Sequence, residues 1–411
     1  MHQEVVEAEG HLIDSHVMEQ IFYTVVEFNG RFEVESFRIG RTNAEPSYMR
    51  MRVETPQAAD MEQLLSQLLG LGCTPVDTGD AALSMVERDC CAPEDFYSTT
   101  NHRTLVRHNG RWMEVEAQRM DAMVVVSDGQ ATCRRLRDLR AGDRVVTGMR
   151  GIRVVPESKE RDRLAFAFMS HGISSERQVE TAVRQTAALM EQARAEEKKI
   201  VVVAGPVVVH TGGVQALAEL IGAGWVQALL AGNALGVHDI EAALLGTSLG
   251  VRQSDGRQEE HGHRNHMRAI NAIYHAGGIA RAVASGKLTS GVMYQCVQTG
   301  TPFVLAGSLR DDGPLPDTIT DMNQAQDAYA EQLRGAGLVL CLGSMLHSIA
   351  VGNMLPSWVK IVCVDINPAV VTKVSDRGTG QAVGIVTDVG QFLGLLAVAV
   401  RSCAPKIEAA R

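Results

Sequence analysis

The sequence predicts an α/β chain whose C-terminal part, residues 173–411, forms a doubly wound, mainly parallel sheet. An α+β zone and a small β-rich zone precede it. Three observations carry that prediction. Continuous β-branched and apolar runs, KIVVVAG (199–205), LVLCL (338–342) and IVCVD (361–365), suit strands buried on both faces. Helix-patterned segments alternate with these runs, as in βαβ units. The runs end on, or lead directly into, Gly or Asp, and in an open parallel sheet ligands bind beyond the carboxyl ends of strands.

Composition sets outer bounds. The chain has 411 residues, 45% of them hydrophobic and 21% charged, which fits two or three globular domains. A net charge of −9 argues against a general grip on nucleic acid or on an anionic membrane. The eight cysteines form no CxxC pair. Cys90 and Cys91 adjoin, and Cys341 and Cys363 lie inside apolar runs as buried thiols. This usage suits a reducing cytosol. The first residues, MHQEVVEAEGH, are acidic rather than basic-then-apolar, and no apolar stretch is long enough to span a bilayer. A soluble, cytoplasmic protein is expected, as a homo-oligomer, the common state of enzymes this size.

In chain order, residues 1–100 read as a small α+β domain. Asp14 or Ser15 can cap a helix over HVMEQIFYTVVEF, in which Met18, Ile21, Phe22 and Val25 share a face. RFEVESFRIG and SYMRMRVET alternate as strands, and AADMEQLLSQLLGLG is a helix closing at Gly70 or Gly72. A ferredoxin-like sandwich is the expected form. Residues 101–172 read as an antiparallel barrel or sandwich with Asn-Gly, Asp-Gly and Ala-Gly turns. Arg134, Arg135, Arg137 and Arg140 form a solvated basic face there. From 173 onward Ser174 or Ser175 caps a polar helix. KIVVVAGPVVVHTGG then reads as one continuous strand, followed by alternating helices and strands.

The most informative stretch runs from Leu338 to Asp388. A buried strand enters the turn Gly343-Ser344, MLHSIAVGN continues as a helix, and a second strand ends in Asp365. A third apolar run ends in Asp388. Glycine lets the backbone approach a diphosphate, helix N-terminal amides attract it, and a strand-end carboxylate accepts ribose hydroxyls. GSMLHS has one glycine where the dinucleotide fingerprint has three. The strand-end rule gathers Gly205-Pro206 with Thr211 to Gly213, Asn233-Ala234, Ser308 to Asp312, Gly343-Ser344, Asp365 to Pro368 and Asp388 at one crevice. Arg310 can hold a carboxylate, and Asp311 or Asp312 an ammonium or a hydroxyl. His347 is a proton shuttle or an ordinary helix residue. His238 lies near Asp239 and Glu241, a grouping that reads better as core or capping use than as catalysis. HGHRNH (261–266) reads as a substrate-binding or mobile polar loop rather than a metal site, since no cysteine or HEXXH pair accompanies it.

The phrases AGPVVVHTGG, LLAGNALGVHDIEAALLGTSLGV, SGVMYQCV, PFVLAGSLRDDGPLPD, MLHSIAVGNMLP, VCVDINPAVVTKVSDRG and QAVGIVTDVGQFL resemble the LOR/SDH-type family. That family includes archaeal-type ornithine cyclodeaminases and the C-terminal part of cyanobacterial arginine dihydrolase fusions. The resemblance covers essentially the whole chain, without the fusions' guanidine-modifying domain, so no arginine hydrolysis is expected. It implies a Rossmann-like NAD-binding domain of the deoxyhypusine-synthase/sirtuin-like kind. It also implies cofactor contacts at Asn233, Ala234, Asp311 or Asp312, Gly343, Ser344, Met345, Leu346, Asp365, Asp388 and Val389. The implied reaction turns L-ornithine into L-proline and ammonia by transient hydride transfer to bound NAD, cyclisation of the imine and hydride return. Asp312, His347, Arg264 and His266 lead the catalytic candidates. Arg268, Arg310 and Lys373 are further cations, Asp239 and Asp311 further carboxylates, and His263 a further base. Asp365 would repel a 2′-phosphate, favouring NAD over its phosphorylated form. Two other readings stay open: an NAD-dependent amino-acid or opine dehydrogenase of saccharopine type, and an NAD- or amino-acid-sensing binding protein.

Overall fold

A computed structural model of the chain describes residues 2–10, 12–13, 17–41, 45–76, 79–155, 175–252, 257, 262–311, 313–377 and 382–403. The expected caps at Asp14, Ser15 and Ser174 lie outside them, as do His261 and Asp312. The chain divides into two compact units, Met1–Ala167 with Asn353–Trp358, and Phe168–Gly352 with Val359–Arg411.

The first unit begins with β1 (His2–Gly10), α1 (Val17–Glu27), β2 (Arg31–Arg38), β3 (Ser47–Thr55), α2 (Ala58–Gly70) and β4 (Cys73–Pro75). Their sheet has the order β2-β3-β1-β4 with every pair antiparallel, the ferredoxin-like arrangement expected. Period-two patterning builds it: Met49, Met51 and Val53 are buried, while Arg50 and Arg52 face outward to Glu33 and Glu35. Ile21 and Val25 of α1 and Leu64 and Leu68 of α2 complete the core.

A second sheet in this unit comprises β5 (Ala82–Met85), β6 (Arg103–His108), β7 (Arg111–Glu116), β8 (Met123–Ser127), β9 (Gln130–Arg134), β10 (Arg144–Thr147) and β11 (Ile152–Val155), in the order β11-β6-β7-β9-β8-β10-β5. Asn109-Gly110 and Asp128-Gly129 take positive φ at both positions, as the two-residue hairpins require. The all-antiparallel expectation is corrected at one place, because β7 pairs parallel with β9. Residues 117–122 carry the chain past one strand position, and the tight β8–β9 hairpin returns β9 into the gap. The arginine cluster is ion-paired: Arg134 with Asp143 at 3.1 Å, Arg135 with Asp138, and Arg140 with Asp89 at 3.9 Å.

The second unit opens with α3 (Ser175–Ala195), β12 (Lys199–Ala204), α4 (Val207–His210), α5 (Val214–Gly222), β13 (Ala228–Gly232) and α6 (Asn233–Leu245). The short strands β14 (Thr247–Ser248) and β15 (Val251–Arg252) lead to α7 (Asn265–Ala276), α8 (Ile279–Ala284) and α9 (Val292–Thr299). Then come β16 (Phe303–Ala306), β17 (Thr318–Ile319), α10 (Met322–Leu333), β18 (Ala336–Leu342) and α11 (Met345–Met354). The chain closes with β19 (Lys360–Asp365), α12 (Pro368–Arg377), β20 (Ala382–Val386) and α13 (Val389–Cys403).

The sheet is parallel throughout, in the order β17-β16-β13-β12-β18-β19-β20. The chain winds outward from β12 on one side, then returns to β18 and winds outward on the other. The switch point therefore lies between β12 and β18. One expectation is corrected here. KIVVVAGPVVVHTGG is not a single strand: β12 ends at Ala204 and Val207–His210 is a helical turn. Pro206, with φ −62° and ψ −17°, has no amide hydrogen for the ladder and starts the helical turn. Cys341 and Cys363 sit opposite one another on β18 and β19, and burial pushes the Cys341 thiol up to about 12. Cys73, Cys90, Cys91, Cys133, Cys296, Cys341 and Cys363 are free thiols. Among the described residues no helix is long and apolar enough to cross a membrane.

Candidate functional site

At the switch point two loops pinch together. A Cβ on Gly205 would collide with the Gly343 carbonyl oxygen and lie 2.8 Å from its carbonyl carbon. Gly343 takes φ +58°, and its own Cβ would collide with Val207 and come within 3.4 Å of Val389. Only glycines allow this approach, and it leaves the turn before α11 with bare backbone facing the crevice. The first amides of α11, at Met345 and Leu346, have no partner earlier in the helix, so the turn suits an anion. Met345 and Leu346 are exposed at the same rim.

His347 follows on the first turn of α11. Its Nδ1 meets Ser344 Oγ at 2.9 Å, and its ring lies over the end of β13, where a Gly232 Cβ would be 2.9 Å from Cε1. Burial holds its imidazole below the ordinary range. Tyr329 packs nearby, 6.1 Å between ring centroids, and donates its hydroxyl to Ala231 O at 2.8 Å. Thus the strand-end pair Gly343-Ser344 lies together with His347 and Val389, beside Gly232 at the start of α6.

Other candidate residues are held by the protein itself. Asn233 Oδ1 accepts from the Leu315 amide at 3.0 Å and the Thr318 hydroxyl at 2.9 Å, so this side chain anchors the segment 315–318. Ala234 follows it on α6. Asp311 accepts from the Ser308 amide at 2.7 Å, closing its own turn. Asp388 accepts from the Gln391 amide at 2.8 Å and caps α13. The Thr211 hydroxyl donates to Val207 O within α4. Asp365, at the end of β19, accepts the Asn367 amide on Oδ1 at 2.8 Å; among the described residues Oδ2 accepts no hydrogen bond.

Asp239 requires a correction. It was an available carboxylate for an ammonium, yet both oxygens accept α9 amides, from Val292 and Met293, at 2.8 Å each. The side chain is fully buried, and burial pushes its carboxyl up to about 6 against the pull of those amides. Arg264 is exposed at the N-cap of α7, and His266, the second residue of that helix, is half-buried. Between them Asn265 donates to the Thr247 hydroxyl at 2.9 Å.

That hydroxyl leads to a cluster the sequence reading did not assemble. Glu241, fully buried, accepts from Thr247 Oγ1 at 2.8 Å, the Gly250 amide at 3.1 Å, the Leu249 amide at 3.3 Å and His238 Nδ1 at 2.9 Å. The His238 ring meets His210 edge to face at 5.1 Å, and His210 Nδ1 lies 2.7 Å from Ser248 Oγ. The i,i+3 spacing of His238 and Glu241 was readable in the sequence. The arrival of His210 from α4 was not.

Comparisons with known proteins agree with this architecture. Residues 184–396 match the family described as arginine dihydrolase ArgZ-like, C-terminal, Rossmann fold, and residues 103–183 its C-terminal first region. Residues 3–102 match the LOR/SDH bifunctional enzyme conserved region. The ornithine cyclodeaminase of Methanocaldococcus jannaschii is 48% identical over 399 residues, 95% of this chain and 94% of that protein. The bifunctional arginine dihydrolase/ornithine cyclodeaminase AgrE of Nostoc sp. is 49% identical over 401 residues, 95% of this chain but 57% of that longer protein. The crystal structure of apo ArgZ, a cyanobacterial arginine dihydrolase, superposes with a TM-score of 0.85 at 46% identity, covering 98% of this chain and 59% of ArgZ. A ternary complex of AgrE with ornithine and NAD⁺ superposes with a TM-score of 0.54 at 46% identity, covering 98% of this chain and 58% of AgrE. The chain belongs to the LOR/SDH and ArgZ-like C-terminal family, the family of the archaeal ornithine cyclodeaminases.

Proposed function

We propose that the protein is an NAD-dependent ornithine cyclodeaminase, converting L-ornithine to L-proline and ammonia. One observation carries the reading: a near full-length relative at 48% identity bears that activity in its name, and the family's Rossmann-fold region here has a glycine-pinched switch point. The crevice fits NAD by its own chemistry. The bare Gly343-Ser344 turn and the Met345 and Leu346 amides suit the diphosphate, and the open oxygen of Asp365 suits the adenosine ribose. Asn233, Ala234, Asp311, Asp388 and Val389 frame the rest of the groove, chiefly by fixing the backbone around it. Bound there, NAD supplies a reversible acceptor for the hydride on the amino-acid Cα, which makes the conversion redox-neutral.

The chain's own residues orient and move protons. Arg264 provides a cation for the substrate carboxylate, and Asp312 a carboxylate for an ammonium. His347 holds Ser344 through Nδ1, leaving Nε2 to pass protons, and His266 offers a second imidazole beside Arg264. Purified protein incubated with isotope-labelled ornithine and sub-stoichiometric NAD⁺ should yield equal amounts of proline and ammonia, with many turnovers per NAD. NADH accumulating one-for-one with ornithine consumed would instead mark a dehydrogenase. Ornithine binding with neither product would mark a sensor.

A further inference from the structure

We infer that His238 accepts the proton from the substrate's amino group and that Glu241 is its positioning residue. This deepens the cyclodeaminase reading and rests on it. The geometry begins at the crevice. Helix α6 starts beside Gly232, and Ala234 and His238, four residues apart, share one face of it. Helix α4 starts from the switch-point loop at Val207 and ends at His210. Two loops leaving the carboxyl ends of neighbouring strands thus bring two imidazoles to one place, 5.1 Å apart.

Glu241 fixes the tautomer. A carboxylate can only accept, so His238 Nδ1 carries the hydrogen at 2.9 Å and Nε2 presents its lone pair. Among the described residues no hydrogen-bond partner of that Nε2 is found. Burial works against the charge on Glu241, yet the His238 imidazole, the Gly250 amide and the Thr247 hydroxyl outweigh it and hold the carboxyl below its ordinary range. The Thr247, Leu249 and Gly250 donors already tie the 247–250 turn to α6, so the imidazole is surplus to that structural task.

The chemistry needs such a base. Ornithine arrives with its amino groups as ammonium ions, and neither nitrogen can act as a nucleophile or donor until it sheds a proton. The N–H bond of the ammonium breaks, an Nε2–H bond forms on His238, and no electrons change hands. The resulting imidazolium lies against the charged Glu241, and the same proton is later returned to the departing ammonia. The groups facing His238 are His210 from α4 and Glu241 from its own helix; the Thr247 hydroxyl of β14 reaches Glu241 and the Ser248 hydroxyl reaches His210. Arg268 of α7 lies farther off, donating to Asn265, which in turn donates to Thr247. Asp239 of α6 is turned away to the amides of α9.

The test compares full-length, NAD-loaded wild type with His238→Gln, His238→Ala and Glu241→Gln. Proline formation is followed across pH, and NAD affinity is measured separately by fluorescence. His238→Gln should lower kcat by about 10²- to 10⁴-fold, the usual worth of general acid–base catalysis, with NAD affinity unchanged. Added imidazole should restore part of the activity of His238→Ala. Glu241→Gln can turn its amide NH2 toward Nδ1 and so no longer fixes the tautomer, and kcat should fall with KM and NAD affinity unchanged. A His238→Gln enzyme with wild-type kcat overturns the inference, as does a kcat loss matched by lost NAD affinity. If Glu241→Gln does not fold, His238→Ala decides alone, and a large loss without rescue by imidazole counts against the proposal. Wild type that makes no proline at all refutes the cyclodeaminase reading itself, a result distinct from all of these.

Discussion

Gly205→Ala is the sharpest probe of the switch point. Gly205 has no positive φ, so alanine is acceptable to the backbone and the effect is purely steric. Its Cβ would sit 2.8 Å from the Gly343 carbonyl carbon and 3.2 Å from Ser344 Cβ, where ordinary contact begins at 3.4 Å. The obstacle is backbone, and the carbonyl oxygen is the tightest contact, so β12 or the 343–344 turn must retreat by roughly 1 Å. Overpacking of this kind costs about 1–3 kcal/mol, which for a domain of this size lowers the melting temperature by roughly 2–10 °C. The larger effect should fall on the cofactor. The turn that retreats also presents the helix amides, and misplacing positioned groups by about 1 Å is worth about 100-fold. NAD affinity should therefore drop at least tenfold, more than a general loss of stability explains. Calorimetric titration with NAD⁺, alongside melting curves with and without it, reads both quantities. If Gly205→Ala binds NAD⁺ as the wild type does and gains the same thermal shift from it, the dinucleotide does not lie at this pinch.

Three further outcomes follow from particular side chains. Asp365→Asn removes the charge that receives the ribose hydroxyls; hydrogen bonds to charged groups are worth about 1.5–3 kcal/mol, so NAD affinity should fall about 10- to 100-fold and discrimination against NADP should weaken, both read by titration. Asn233→Ala leaves the buried Leu315 amide without its acceptor at a cost of about 1–3 kcal/mol, and proteolysis near 308–318 should speed up. Asp239 has a native pKa raised from 3.8 to about 6, so between those values the folded protein binds more protons than the unfolded chain. Its contribution to stability therefore falls as pH rises through that window and is flat above it. The difference in unfolding free energy between wild type and Asp239→Asn, measured in urea, should shrink across the same window; an unchanged or growing difference refutes the assigned direction.

The sequence by itself determined the features that depend on residues close in the chain. Buried strands are legible at 199–204, 338–342 and 361–365 because a strand covered on both faces needs an unbroken apolar run. The Asn109-Gly110 and Asp128-Gly129 hairpins are legible because those pairs tolerate two positive φ angles. Glycine at 343 and a carboxylate at 365 marked the groove for the same local reasons. Only the tertiary structure decided which polar groups at that rim stay available. Asp239 is claimed by amides 53 and 54 residues away, Asn233 by a segment 82 residues on, and His238 is joined by an imidazole 28 positions earlier. It alone also broke the long valine run at Pro206 and slipped β9 beside β7. A buried donor or acceptor takes whichever partner the packing brings within about 3 Å, and that choice is made in space, beyond the reach of any local pattern.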